Sequence, residues 1–200
     1  MDKSIARMVM KMNGIPCAPL TNQVPCVVKC THGGSSIGVY ICDKDEDLDK
    51  ALRESIKFSD EIIIEKKIVG REFTVPVLGE KALPPIEIIP PQEGNFDYVA
   101  KYQSGQKGAQ EICPANLDKH LSDKLKVLAL KLHNAIKLSV YSRSDFIIDR
   151  EGDIYCLEIN SLPGLTPASL LPKAAKCIGL EYPDLCEKIV ELSMKRKIPR

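Results

Sequence analysis

The sequence predicts an α+β fold, and two kinds of pattern carry that prediction. Short runs rich in β-branched residues, such as 26–29, 62–64 and 85–89, are typical of strands. Apolar residues at helical spacing indicate amphipathic helices, the longest at about 119–138. Two hundred residues suffice for one domain or two small ones with a proper core. The chain is therefore expected to combine sheets with flanking helices.

Composition and charge exclude several classes of partner. The formal net charge of +1 offers no electrostatic basis for binding nucleic acid or an anionic membrane. The chain has neither the apolar region of a signal peptide nor an apolar run approaching the length of a membrane span. We therefore expect a cytoplasmic protein whose partners are small molecules.

The cysteines predict neither a zinc site nor disulfides. Eight cysteines are scattered along the chain without a Cys-x-x-Cys motif or a cluster with histidine. In a cytoplasmic protein the thiols stay reduced. All eight are expected to be free and buried.

The first element is an amphipathic helix over residues 2–13. Ile5, Met8, Val9 and Met12 recur at the spacing of one helix face, and Gly14 follows as a natural end. This stripe is expected to face the core. Both prolines of the next stretch, at 16 and 19, favour an extended connector.

A glycine-rich hairpin follows the connector. The strand 26–29 ends in Lys29, the loop contains adjacent glycines with Ser35 and Ser36, and a strand resumes at 37–42. Exposed backbone N–H groups and a lysine suit a phosphate, although an ordinary turn has the same composition. The sequence lacks the Gly-Lys-Ser/Thr ending of a Walker A loop.

The remaining elements follow by the same rules. The predicted helices are 47–58, 119–138, 169–178 and 183–196, and the predicted strands include 61–70, 71–77, 85–89 and 96–102. Glu65 and Glu72 stand near strand ends, where a solvated charge is the alternative to a function. The polar loop 103–110 has the composition of an active-site lid or of a mobile surface loop.

Residues 143–160 predict a hairpin with a chemical face. An even-numbered turn at 150–153 would place Asp145 opposite Glu158 and Arg143 opposite Asn160. Two facing carboxylates repel unless a cation lies between them, and their oxygens with that of Asn160 suit Mg²⁺. A surface salt-bridge ladder with Arg143 is the alternative.

The motifs together resemble the D-alanine–D-alanine ligase family of ATP-grasp enzymes. The resemblance covers almost the whole chain. Its motifs are Met-Asp-Lys at 1–3, Gly-Ile-Pro at 14–16, Val-Val-Lys with Gly-Ser-Ser-x-Gly at 27–38, Ile-Glu-Lys with Gly-Arg-Glu at 64–72, Ala-Lys-Tyr at 100–102, Arg-x-Asp-Phe at 143–146, and Glu-x-Asn-x-x-Pro-Gly-x-Thr at 158–166.

This resemblance implies an ATP-grasp fold of two subdomains, 1–70 and 71–200, with ATP and Mg²⁺, or Mn²⁺, between them. It implies ATP-binding roles for Lys29, Ser35, Ser36, Glu65, Lys66, Ile68, Glu72 and Lys101. Asp145, Glu158 and Asn160 would hold the metal, and Arg143 with the Gly164 backbone would form an oxyanion site. Ser35 and Tyr102 would join the catalytic and lid network, and Ser169 with Tyr102 would bind the second substrate.

The implied reaction joins two D-alanines through an acyl phosphate, for peptidoglycan precursors. D-alanine and ATP are the implied partners, and the resemblance admits a homodimer. The family's N-terminal domain is expected to be absent, and residues between 19 and 25 to be deleted or omitted. A D-alanine–D-serine or D-alanine–D-lactate ligase, a catalytically silent nucleotide-binding remnant, and half of a split ligase with a separately encoded N-terminal domain stay open.

Overall fold

The computed structural model describes residues 2–32, 38–90 and 109–195. Within these ranges the chain forms five helices and nine strands in two antiparallel sheets, which confirms the predicted α+β fold. The helices are α1 (Lys3–Met12), α2 (Asp45–Ser55), α3 (Lys119–Ala135), α4 (Leu170–Lys176) and α5 (Tyr182–Lys195). The strands are β1 (Cys26–Cys30), β2 (Val39–Cys42), β3 (Ile62–Lys66), β4 (Gly70–Leu78), β5 (Lys81–Ala82), β6 (Ile86–Ile89), β7 (Gln110–Ile112), β8 (Tyr141–Asp149) and β9 (Ile154–Asn160).

The smaller sheet has the strand order β2-β1-β3 and is covered by α2. Its core consists of Cys26, Val28 and Cys42 from the strands and Ala51 from the helix. The first turn of α2 is acidic, which complements the positive end of the helix dipole. Lys29 lies near the end of β1, the central strand of this sheet.

The larger sheet has the order β7-β6-β4-β8-β9, with β5 also pairing with β4. One face packs against α1 and α3 through residues such as Phe73, Phe146 and Leu125. The opposite face packs against α4 and α5, where Ile86 contacts the cluster of Leu171. Because Ile86 pairs with Thr74 and Thr74 with Asp145, the predicted metal-binding carboxylate shares this second face.

The apolar stripe of α1 does not face the core, so that prediction was wrong. Met8 is 58% exposed and Met12 is 86% exposed. The buried residues of α1 are instead Ala6, Arg7 and Met10. Periodicity identified the helix correctly, but the face that packs inward is the one that carries Arg7.

The connector after α1 binds both sheets. Cys17 forms a parallel bridge with Cys156 of β9, whose N–H donates to the Pro16 carbonyl at 2.8 Å. Leu20 forms an antiparallel bridge with Glu65 of β3. Along the chain, the smaller sheet ends with β3 and the larger sheet begins with β4, near residue 70. Helix α1, however, packs on the larger sheet. The division at residue 70 stays a prediction.

Several predicted boundaries shift by a few residues. Helix α2 ends at Ser55 rather than near 58, and α3 ends at Ala135 rather than near 138. The predicted strand 96–102 lies outside the described residues. So does most of the predicted loop 103–110, whose last residue, Gln110, begins β7.

Burial of all the cysteines was predicted wrongly. Cys26, Cys30, Cys42 and Cys156 are buried, as expected. Cys177 is exposed, and Cys17, Cys113 and Cys186 are half-buried. All eight are free thiols, because the structure contains no disulfide among them.

In the described part of the chain, no helix combines the length and the apolar character that crossing a membrane requires.

A neutral histidine lies in the larger core. His133 of α3 is 1% exposed, and its Nδ1 lies 2.7 Å from the Ser142 hydroxyl oxygen. Among the described residues its Nε2 has no hydrogen-bond partner. Burial lowers the pKa of His133, since a charged imidazole would lose its hydration there.

This burial predicts a pH-dependent stability. The pKa of His133 is lower in the folded chain than in the unfolded chain, so unfolding takes up a proton at mildly acidic pH. The contribution of neutral His133 to the free energy of unfolding is complete above about pH 6.5, the pKa of a histidine in the unfolded chain. It should be lost as the pH falls below that value. Urea unfolding at about pH 7.5 and about pH 5.5 measures how much unfolding free energy is lost at the lower pH. This loss should be larger for the wild type than for His133→Gln. The exposed His120→Gln variant should behave as the wild type does, and equal losses in all three proteins would contradict the assignment.

Candidate functional site

A β-bulge decides which side chains of β9 face the site. Near the turn, Ile148 pairs with Ile154 and Phe146 with Cys156, but the next pair is Asp145 with Glu158. Leu157 is thus the extra residue of β9 and has no paired residue in β8. Burial follows the shift, because Cys156 and Ile159 are buried while Glu158 is only partly so. The bulge therefore turns Glu158 away from the α1 and α3 face.

The predicted pairs of Asp145 with Glu158 and of Arg143 with Asn160 are present, but the predicted even-numbered turn was wrong. The turn is odd-numbered, because the Asp149 N–H donates to the Asp153 carbonyl at 3.0 Å. A register continued from that turn would pair Asp145 with Leu157. The bulge adds the missing residue and restores the pairing of Asp145 with Glu158. In the sequence, two consecutive residues between the apolar Cys156 and Ile159 are the signal for it.

Asp145 is held firmly in place. The Thr74 hydroxyl donates to its Oδ1 at 2.6 Å. The Arg143 guanidinium donates to both carboxylate oxygens, from Nε at 3.0 Å and from Nη2 at 2.9 Å. This bidentate arrangement also orients Arg143, because its planar fork admits few other directions.

Glu158 lies partly buried beside the negative charge of Asp145. Burial, and next the charge of Asp145, raises the pKa of the Glu158 carboxyl above its ordinary value. Lys29 and Lys3 act in the opposite direction. Burial is the larger cause of the raised pKa, and the nearby Asp145 carboxylate adds to it.

The donor set fits a divalent cation. Asp145, Glu158 and Asn160 offer only hard oxygen ligands, the kind that Mg²⁺ prefers. The Asn160 Oδ1 already accepts a hydrogen bond from the Leu162 N–H at 3.0 Å, which sets the direction of its amide. Across residues 2–32, 38–90 and 109–195 no group of three His, Cys, Asp or Glu side chains could hold a metal. The candidate set of two carboxylates and one amide does not belong to that class.

Glu65 is the centre of a buried ionic network. Its side chain is 9% exposed and contacts Arg7 through Oε1 and Lys29 through Oε2, the latter at 2.6 Å. Arg7 also donates to the Ala18 carbonyl at 2.5 Å. The alternative of a solvated strand-end charge is therefore wrong for Glu65. Two cations on one carboxylate leave the network with a net positive charge.

One cleft of about 130 Å³ brings the two sheets' functional residues together. Lys29 and Glu65 line it from the smaller sheet, and Glu158 and Asn160 line it from β9. The adjacent residues are Asp2, the N-cap of α1, and Lys3, Ala6, Arg7 and Met10 of the helix itself. A cationic side and an acidic side therefore face each other across the cleft.

Lys3 and Arg7 are cleft residues that the sequence did not predict. Both line the cleft, and the Lys3 ammonium donates to the Cys30 carbonyl at 3.1 Å. Their spacing of four residues on a helix places them on one face, which was the available signal. The apolar stripe of α1 had instead predicted that a different face of the helix is buried.

Three of the predicted ATP-binding residues, Lys66, Ile68 and Glu72, lie where the chain passes from β3 into β4. Lys66 is exposed, and its N–H donates to the Pro19 carbonyl at 2.8 Å. Ile68 and Glu72 are half-buried. The backbone N–H of Lys66 is thus already engaged by the connector.

Gly164 and Ser169 are neighbours in the loop that leads into α4. A Cβ on Gly164 would lie 2.9 Å from the Ser169 Oγ, so a side chain there would displace it. The Ser169 Oγ and the Thr166 Oγ1 are 2.8 Å apart and share a hydrogen bond. The structure thus brings together a predicted oxyanion donor and a predicted substrate residue.

Four predicted site residues lie outside the described residues. They are Ser35 and Ser36 of the glycine-rich loop, and Lys101 and Tyr102. Their predicted roles stay predictions.

Comparison with known proteins gives consistent matches. A family model described as "D-ala D-ala ligase C-terminus" matches residues 12–191. A D-alanine–D-alanine ligase of Clostridium botulinum (strain Alaska E43 / Type E3) is 40% identical over 210 residues, covering 98% of this chain and 68% of the relative. The crystal structure of a D-alanine–D-alanine ligase from Bacillus anthracis has a TM-score of 0.84 and 33% identity, covering 97% of this chain and 67% of that one. The crystal structure of the Bacillus anthracis ligase complexed with ATP has a TM-score of 0.80 and 29% identity, covering 97% and 66%.

The ionic network predicts a large stability effect at Arg7. Arg7→Met removes one partner of a buried carboxylate, and breaking such a pair costs about 3 to 5 kcal/mol of unfolding free energy. Denaturant unfolding measures the loss. The matched control is Lys57→Met, which removes an exposed pair with Glu54 and should cost less than about 1 kcal/mol. A similar small cost at Arg7 would show that the Glu65 network does not stabilise the fold.

Proposed function

This chain belongs to the D-alanine–D-alanine ligase C-terminus family, and from that membership we propose that it catalyses the ATP-dependent joining of two D-alanines. The product would serve peptidoglycan precursor synthesis in the cytoplasm. One observation of the structure carries the proposal: Lys29 and Glu158, far apart in sequence and on different sheets, line the same cleft. That juxtaposition is what a phosphate-binding cation and a metal-binding carboxylate require.

The nucleotide is proposed to lie between the two sheets. Lys29 provides a positive charge at the end of β1, and its pairing with Glu65 holds its ammonium at the cleft. Arg7 shares the Glu65 carboxylate, so Lys29 is only partly neutralised and keeps attraction for phosphate oxygens. The Bacillus anthracis relative complexed with ATP supports this choice of nucleotide. Ser35, Ser36 and Lys101 complete the proposed phosphate site, and Glu65, Lys66, Ile68 and Glu72 the remainder of the nucleotide site.

The proposed metal ligands are Asp145, Glu158 and Asn160. Mg²⁺, with Mn²⁺ as the second candidate, would neutralise phosphate charge and polarise the transferred phosphoryl group when bound. The chain's own contribution is to hold both carboxylates on one face, with Thr74 and Arg143 fixing Asp145. The pairing of Asp145 directly opposite Glu158, two carboxylates on one face, supports a site for an additional positive charge.

Arg143 and Ser169 are proposed to act on the amino-acid substrates. Arg143 is oriented by its two bonds to Asp145, so its charge can stabilise an oxyanion without reorganising. The Gly164 backbone is the second proposed oxyanion donor. Ser169 would bind the carboxylate of the second D-alanine through the hydroxyl that now bonds to Thr166. Tyr102 and Ser35 complete the proposed network.

The activity assay uses ATP, Mg²⁺ and D-alanine with the purified chain, and measures D-alanyl-D-alanine and phosphate. We expect MgATP binding and stoichiometric formation of both products, with D-serine, D-lactate and L-alanine as competing acceptors. The chain spans 68% of the Clostridium relative, so the assay is repeated with a family N-terminal domain added in trans. Preference for D-serine or D-lactate would assign a sibling ligase. MgATP binding without any product in either arrangement would overturn the ligase proposal.

Loss of Lys29 should weaken ATP binding more than adenosine binding. A charge-assisted phosphate contact is worth about 1.5 to 3 kcal/mol, or roughly tenfold to a hundredfold in affinity. Lys29→Ala also removes a partner of Glu65, so a lower melting temperature is expected as well. Calorimetry with both ligands separates these effects because adenosine carries no phosphate. Lys101→Ala should behave in the same way towards ATP, whereas the exposed Lys57→Ala should not. Equal losses for ATP and adenosine would place Lys29 away from the phosphates.

Removing one metal ligand should reduce the metal dependence of nucleotide binding. Glu158→Gln keeps the shape of the side chain but removes its charge and one metal-binding oxygen. ATP is titrated with and without Mg²⁺. The metal should strongly increase the ATP affinity of the wild type, and the increase should be at least tenfold smaller for Glu158→Gln. Glu151→Gln, on the exposed turn of the same hairpin, is the matched control. An unchanged enhancement in Glu158→Gln would contradict the metal assignment.

A further inference from the structure

Two thiols that do not line the cleft lie almost within bonding distance. The sulfur atoms of Cys113 and Cys177 are 2.6 Å apart although 64 residues separate them in sequence. Cys113 directly follows β7, and Cys177 is the C-cap residue of α4. A disulfide bond measures about 2.05 Å, so the sulfurs need to approach by only about 0.6 Å.

The two elements are already fixed to each other by other contacts. Lys173 of α4 forms an ion pair with Glu111 of β7, and the Glu111 side chain is only 9% exposed. Cys113 also packs against the apolar cluster that contains Leu171 and Ala174 of α4. The thiols are therefore juxtaposed by a packed interface.

We propose that Cys113 and Cys177 form a site of covalent modification, at which exchange with a low-molecular-weight disulfide produces an intramolecular disulfide. The product would join the strand β7 to the end of α4. This proposal is independent of the ligase activity, because neither residue lines the cleft.

Exposure sets the order of the two chemical steps. The exposed Cys177 thiolate attacks one sulfur of the small disulfide, which releases one small thiol and leaves a mixed disulfide on Cys177. The Cys113 thiol then loses its proton to solvent and attacks the Cys177 sulfur, which releases the second small thiol. Two protein thiols are oxidised, and one small disulfide is reduced to two thiols.

Cys113 suits the second step rather than the first. It is half-buried, and desolvation followed by the influence of Cys177 raises the pKa of Cys113 to about 12. A protonated thiol is a poor nucleophile toward a small molecule in solution. Proximity overcomes this once Cys177 carries the mixed disulfide, since the reaction has become intramolecular.

A second pair of cysteines provides a contrast. Cys26 and Cys42 face each other across β1 and β2, but both are 0% exposed. A small disulfide cannot reach either sulfur while the chain is folded. Oxidation in the folded state is therefore expected to select Cys113 and Cys177.

The test treats the folded full chain with oxidised glutathione, alkylates the remaining thiols and maps the peptides by mass spectrometry without reduction. We expect a linked Cys113–Cys177 peptide and the loss of two alkylatable thiols from the eight. Cys113→Ser should instead retain glutathione on Cys177. Cys177→Ser should give no linked peptide, and the matched control Cys186→Ser, at another half-buried cysteine, should react as the wild type does.

Thermal unfolding gives an independent measurement. A disulfide that closes a loop of this length should raise the melting temperature by roughly 5 to 10 °C, and a thiol reductant should reverse the rise. Wild type and Cys186→Ser should show the rise, and Cys113→Ser should not. Stable glutathione on wild-type Cys177, a disulfide between two chains, or no oxidation would each overturn the proposal.

Discussion

The candidate site depends on a single extra residue in β9. Leu157 shifts the register between β8 and β9, so that Glu158 rather than Leu157 stands opposite Asp145. Strict alternation from Ile154 would direct Glu158 into the face that packs on α1 and α3. The bulge therefore decides that an acidic residue faces the cleft and that Ile159 joins the core. Placing a bulge beside a functional site is a common way to redirect a side chain.

The second constraint is the buried carboxylate of Glu65. A desolvated negative charge needs partners, and Arg7 and Lys29 supply them from α1 and β1. Arg7 also binds the Ala18 carbonyl, so the same network holds the connector that joins the two sheets. One carboxylate thus ties together the helix, the connector and the smaller sheet, and its network with Arg7 and Lys29 carries a net positive charge on one side of the cleft.

The orientation of α1 shows why periodicity was insufficient. Met8 and Met12 form the more apolar face, yet that face is exposed, and the helix buries Arg7 instead. A pattern of apolar residues reports which face a helix could bury, but it contains no information about the partner that covers it. Here the partner includes Glu65, which lies on a strand far along the chain and attracts a cation.

The sequence by itself determined the existence of most elements, the hairpin that carries Asp145 and Glu158, and the family of the chain, because these depend on local pattern and on motif spacing. Only the tertiary structure decided the bulge at Leu157, the burial of Glu65 with Arg7, and the meeting of Cys113 with Cys177. These features arise from contacts between residues that are distant in sequence. A local pattern cannot specify such contacts, because which charge or thiol lies opposite another is set by how the sheets, helices and connector pack together.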